Sequence, residues 1–141
     1  MVNDRLETAI SYAKEKHAGQ VDKAGVEYIN HPLAVMESVE SEDEKIVAVL
    51  HDTVEDTDAT IEEIKELFGE TVARAVECLT HRKCEDYFDY VSRVKENEIA
   101  RKVKLADLRH NMTLSRLTEV TDKDIQRLRK YEKAKEMLES K

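Results

Sequence analysis

The stretch Ile46-Val47-Ala48-Val49-Leu50-His51-Asp52-Thr53-Val54-Glu55-Asp56 sets the longest apolar run of the chain directly against an imidazole and three carboxylates. A run of this kind belongs in a core, and ionisable groups at its end are costly to bury unless they are paired or serve a purpose. Ahead of it, Ser41 and Glu44 form a capping box, a hydroxyl and an acid that each satisfy one free backbone donor of a helix start. One helix over 42–55 is the expectation. On such a helix His51 and Glu55 share a face, as do Asp52 and Asp56, because residues four apart lie over one another. Around it, residues 37–70 carry 13 acids against Lys45 and Lys65, a concentration that a divalent cation would relieve.

Outward from this stretch, helical spacing recurs in Leu6, Ile10 and Ala13, in Ile61, Ile64 and Leu67, and in Val72, Ala75, Val76 and Leu79. No stretch keeps a period of two long enough for a strand. Thr60 with Glu63 forms a second capping box, and Thr121 with Asp124 resembles a third. Gly19 is placed to end the first helix and Pro32 to open the second, where its missing N–H is no loss. The expected helices are 4–17, 32–39, 42–55, 60–67, 70–80, 84–95, 97–115 and 122–139, with a loop over 20–30. Three glycines, one proline and no tryptophan leave too few turn formers for a many-stranded sandwich or barrel. The fold class is therefore all-α, a single bundle of about eight helices. No repeat, low-complexity tract or linker divides the chain, so 1–141 reads as one domain.

The net charge of −8 argues against duplex nucleic acid and anionic membrane as partners. No apolar run approaches a membrane span, and Met1-Val2-Asn3-Asp4-Arg5 lacks the layout of a signal peptide. Cys78 and Cys84 have no companion pair that would complete a zinc site and read as reduced thiols, so the expected location is cytoplasmic. Arg127, Arg129, Lys130, Lys133 and Lys135 give the last helix a basic face, read as solvated. Association of copies stays open.

Two further segments carry chemistry. In Lys104-Leu105-Ala106-Asp107-Leu108-Arg109-His110-Asn111, Asp107 and Asn111 fall on one helix face. In Asn30-His31-Pro32 the proline holds His31 at a helix mouth. His31, His51, Asp52 and Asp107 together make a mixed nitrogen and oxygen set suited to Mn, Fe, Zn or a similar metal. Singly, each is more often a cap, a surface aspartate or a backbone-bonded histidine; it is their combination that points to a metal. His17, His81 and His110 read as structural or solvent-facing, and neither cysteine has surroundings that make it a nucleophile.

The order His31, then His51-Asp52, then Asp107 resembles the HD superfamily of metal-dependent phosphohydrolases. The likeness extends through Lys23-Ala24-Gly25, Tyr28-Ile29-Asn30-His31-Pro32-Leu33, Leu50-His51-Asp52-Thr53-Val54-Glu55-Asp56-Thr57 and Lys104-Leu105-Ala106-Asp107 with His110-Asn111-Met112. Over residues 5–115 these segments are similar to the small stand-alone (p)ppGpp hydrolases, the hydrolase domain of the RelA/SpoT family. The resemblance implies an HD-domain helical bundle holding one Mn²⁺ through His31, His51, Asp52 and Asp107. It implies removal of the 3′-pyrophosphate of (p)ppGpp, leaving GDP or GTP, with Glu55 and Asp56 in water activation and proton transfer. Lys23 and Asn111 match substrate-contacting positions, Tyr28 shapes the same pocket, and Lys104 adds positive charge beside the metal. The small-molecule partner is then a nucleotide.

The family's Arg-Lys-Ser-Gly loop reads Asp22-Lys23-Ala24-Gly25 here, its Asp-Arg-Leu-His-Asn order reads Asp107-Leu108-Arg109-His110-Asn111, and Leu114 stands where a threonine is usual. These departures keep a second reading open, an HD-type phosphatase of nucleoside monophosphates or another phosphorylated metabolite. A third, a helical nucleotide sensor that keeps a metal for stability alone, is disfavoured by the intact Glu55-Asp56 pair.

Overall fold

The computed structural model describes residues 4–20, 29–82, 84–116 and 122–139. Among them the chain forms helices and no strand: α1 (Asp4–Lys16), α2 (Asn30–Glu37), α3 (Glu42–Leu50), α4 (Thr53–Asp56), α5 (Ile61–Phe68), α6 (Glu70–Leu79), α7 (Tyr87–Lys95), α8 (Glu98–Arg116) and α9 (Asp122–Glu139). The all-α expectation holds. Thr121 and Lys23, with the rest of 21–28, lie outside the described residues, so the third capping box and most of the expected loop go with them.

α3 is the axis of the bundle. Ile46, Val47, Ala48, Val49 and Leu50 are all fully buried, which a helix achieves only when neighbours cover it on every side. Those neighbours are α1, α2, α6 and α8. α5 packs on α6, and α9 closes the far side against α7 and α8, burying Ala134 and Leu138. Its basic face is not wholly solvated: Lys130 lies 4.0 Å from the Tyr87 ring centre and Lys133 4.4 Å from that of Phe88. No helix among the described residues is long and apolar enough to cross a membrane.

The caps set the boundaries. Ser41 Oγ accepts the Glu44 amide at 3.1 Å, and Thr60 and Glu63 complete a reciprocal box at the start of α5. Gly69 ends α5 and starts α6 at φ +97° and ψ 169°, a conformation essentially reserved for glycine. α7 begins at Tyr87 and not at 84, because Cys84 takes φ +67° and Asp86 caps the amides of Phe88 and Asp89. α2 begins at Asn30, two residues before Pro32, since a first-turn proline lacks only an N–H that has no partner there.

The expected helix 42–55 is interrupted. α3 stops at Leu50, His51 and Asp52 form a turn, and α4 adds one further turn. Side chains take the carbonyls that a continuous ladder would use: His51 Nδ1 donates to Ala48 O at 2.5 Å and Thr53 Oγ1 to Leu50 O at 2.7 Å. The core helix therefore ends where its ionisable residues begin.

Candidate metal centre

Three parts of the bundle deliver side chains to one place. α2 brings His31 on its first turn, the α3–α4 turn brings His51 and Asp52, and the middle of α8 brings Asp107. Direct packing of α8 on α2 and α3 closes the group. Ligand atoms of His31, His51 and Asp52 lie within 4.8 Å of one another. Asp107 Oδ1 completes the cluster at 2.6 Å from His31 Nε2 and 3.3 Å from His51 Nε2, while Asp52 Oδ2 is 3.3 Å from His51 Nε2. His51 and Asp107 are buried, at 3% and 4% exposure, and His31 and Asp52 are partly exposed, so the cluster is reached from the His31–Asp52 side.

This donor set fits a divalent metal. Two imidazole nitrogens and two carboxylates converge, and the Ala48 carbonyl requires a proton on His51 Nδ1, which leaves Nε2 as the coordinating atom of the neutral ring. Burial opposes charge on His51, yet Asp52 and the Asp107 hydrogen bond outweigh it and push its pKa up to about 9 in the metal-free protein. Burial would likewise raise Asp107, but Lys104, His31 and His51 hold its carboxyl well below the usual range. Lys104 Nζ sits 3.1 Å from Asp107 Oδ2 and 5.2 Å from the Tyr90 ring centre. Its ammonium, opposed by burial, is held charged chiefly by Asp107.

Glu55 stands one turn beyond His51 and accepts the backbone N–H of His81 at 2.7 Å. The segment that supplies this amide, between α6 and α7, is fastened by Arg93. Its guanidinium donates to the carbonyls of Glu77 at 2.9 Å, Cys78 at 3.2 Å and Thr80 at 3.0 Å, and pairs with Glu85 at 2.7 Å. Sequence reasoning missed Arg93 and the His81 amide, and no local spacing marks either. It read His110 as structural or solvent-facing without naming its partner, and His110 Nδ1 lies 2.6 Å from His31 Nδ1. Burial, then the neighbouring His31, lowers the pKa of His110. The i, i+3 relation of Asp107 and His110 was the available signal.

Asp56 falls on α4 and Asn111 on α8, with side chains outside the description, and Lys23 and Tyr28 lie outside the described residues.

The chain is similar to several known proteins. A guanosine-3′,5′-bis(diphosphate) 3′-pyrophosphohydrolase of Aquifex aeolicus is 49% identical over 81 residues, covering 55% of this chain and 12% of that protein. The guanosine-3′,5′-bis(diphosphate) 3′-pyrophosphohydrolase MESH1 of Danio rerio is 46% identical over 86 residues, covering 55% of this chain and 47% of that protein. The matched region thus spans less than half the length of either relative. A solved structure, described as a metazoan ortholog of SpoT that hydrolyses ppGpp and plays a role in starvation responses, matches with a TM-score of 0.80 at 27% identity. It covers 97% of this chain and 86% of that one. The family model described as HD domain matches residues 9–136, and the chain belongs to the HD domain family.

Proposed function

We propose that this chain is a Mn²⁺-dependent pyrophosphohydrolase of guanosine tetra- and pentaphosphate, acting in the cytoplasm as a single domain. The observation that carries the reading is the convergence of His31, His51, Asp52 and Asp107 from three parts of the bundle, with Glu55 one turn away. Its support in kind comes from relatives named for this reaction.

In this mechanism His31, His51, Asp52 and Asp107 would hold the ion, which when bound would lower the pKa of a water and draw charge from phosphoryl oxygens. Ala48 and Lys104 keep His51 and Asp107 in the required state: one fixes a tautomer, the other keeps a buried carboxylate ionised. Glu55 and Asp56 take the proton of the attacking water. The His81 amide fixes the Glu55 carboxylate in direction while leaving it charged. Lys23, Tyr28 and Asn111 contact the nucleotide. Lys104 has a double part, since its charge beside Asp107 also meets the phosphates. The water oxygen bonds to the phosphorus carried by the 3′-oxygen, the bond from that phosphorus to the 3′-oxygen breaks, and the proton taken by the carboxylate pair passes to the 3′-oxygen, giving pyrophosphate and GDP or GTP with a free 3′-hydroxyl.

The test is product analysis on ppGpp with Mn²⁺, beside a panel of nucleoside monophosphates, with pyrophosphate and phosphate read separately and His51→Ala as control. Pyrophosphate and GDP, absent in the control, are the expected outcome. Phosphate from a monophosphate would favour the phosphatase reading that Asp22 and Ala24 keep open, and binding without turnover would favour a sensor.

A further inference from the structure

His31 is reached at both ring nitrogens. Nε2 faces Asp107, and Nδ1 lies 2.6 Å from His110 Nδ1. The two rings are inclined by only 25°, and their centres are 4.8 Å apart, close to the nitrogen contact plus two ring radii. The nitrogens therefore lie along the line between the ring centres. The rings meet edge to edge, in the plane where an N–H and a lone pair point, and not face over face.

Two imidazole nitrogens at hydrogen-bond distance require one proton between them, so the state of His110 dictates that of His31. In the metal-free protein the Asp107 carboxylate oxygen, which can only accept, takes the short hydrogen bond from His31 Nε2. With Nε2 given to an ion, the single proton of neutral His31 stands on Nδ1 and must find an acceptor. His110 Nδ1, 2.6 Å away, is placed to be that acceptor when its own ring carries its proton on Nε2.

We infer that His110 is a positioning residue of the metal centre, receiving the Nδ1–H of His31 and so aiming Nε2 at the ion. This rests on the metal-site reading above. The fold supports it, because Asp107 and His110 are three residues apart on α8 and so project to the same side, toward α2. One helix then supplies both a ligand and the group that orients another ligand.

Three variants separate this role from simple packing. His110→Phe keeps a flat ring and removes the acceptor. His110→Asn places a carbonyl oxygen near the position of Nδ1. His110→Gln carries its amide one bond further out. Each metal-free protein is checked for thermal unfolding, then titrated with Mn²⁺ by calorimetry. The expected result is a loss of about 10–100-fold in Mn²⁺ affinity for His110→Phe, the usual penalty for losing an outer-sphere partner. His110→Asn should recover most of it and His110→Gln should not. ¹⁵N spectra of the wild-type protein loaded with diamagnetic Zn²⁺ should show His31 protonated at Nδ1. Equal Mn²⁺ affinity of wild type and His110→Phe would overturn the inference, as would equal weakness of the Phe and Asn variants. Wild-type protein that binds no divalent ion would instead sink the metal-site reading itself.

Discussion

Lys104 and Asp107 show how single residues hold the centre ready. Both are largely buried, and each is kept ionised by the other. Removing Lys104 leaves the buried Asp107 carboxylate to His31 and His51, a loss below the about 3–5 kcal/mol of a wholly uncompensated buried charge. Lys104→Met should therefore lower the unfolding temperature of the metal-free protein, and a bound cation should restore part of it by taking over the compensation of Asp107. Thermal scans with and without Mn²⁺ check this, and a variant equally destabilised in both conditions would deny the coupling. At the same scale, His51 was legible as a candidate ligand from its place beside Asp52, but the Ala48 carbonyl that selects its tautomer was not. That acceptor is a backbone atom three residues back, and only the geometry of the interrupted helix turns it to the ring.

At the level of elements, the Ser41 cap of α3 and the full capping box of α5 were legible because a cap is a short-range contact within four residues, although Glu44 bonds the Glu40 amide and leaves the α3 box half made. The break at His51 and Asp52 was not, because helical spacing continues through it. What ends α3 is a competition for carbonyls by His51 and Thr53, a matter of rotamers more than of pattern. Gly69 joins α5 to α6 in a backbone region that side chains avoid, and a Cβ there would meet no neighbour within 4 Å. Gly69→Ala should thus destabilise by about 1–3 kcal/mol through backbone strain alone. Denaturant unfolding measures it, and a neutral result would mean that the α5–α6 junction relaxes. Arg93 fastens the segment whose His81 amide holds Glu55, so Arg93→Met should lower kcat more than it raises KM. A change confined to KM would place the segment on the substrate instead.

For the molecule as a whole, the axial helix couples core and centre. Ile46 is fully buried, and Ile46→Ala should destabilise by about 2–5 kcal/mol through lost burial and the cavity left behind. Because the candidate ligands come from α2, the α3–α4 turn and α8, an ion bound there would join parts distant in the chain. It should stabilise the folded state by about 2.7 kcal/mol at a hundredfold excess over Kd. Chelator should lower the unfolding temperature of metal-loaded protein but not of His51→Ala, and a shift common to both would place the stabilising ion elsewhere. By itself the sequence determined the all-α class, most helix limits, and the residue types able to hold a metal, since periodicity and caps act over a few residues. Only the tertiary structure decided that α8 lies against α2, bringing His110 to His31 across 79 positions, and that Arg93 and His81 serve Glu55. Such contacts depend on which helix faces pack together, and that choice follows from burial summed over the whole chain, which no local pattern of residues records.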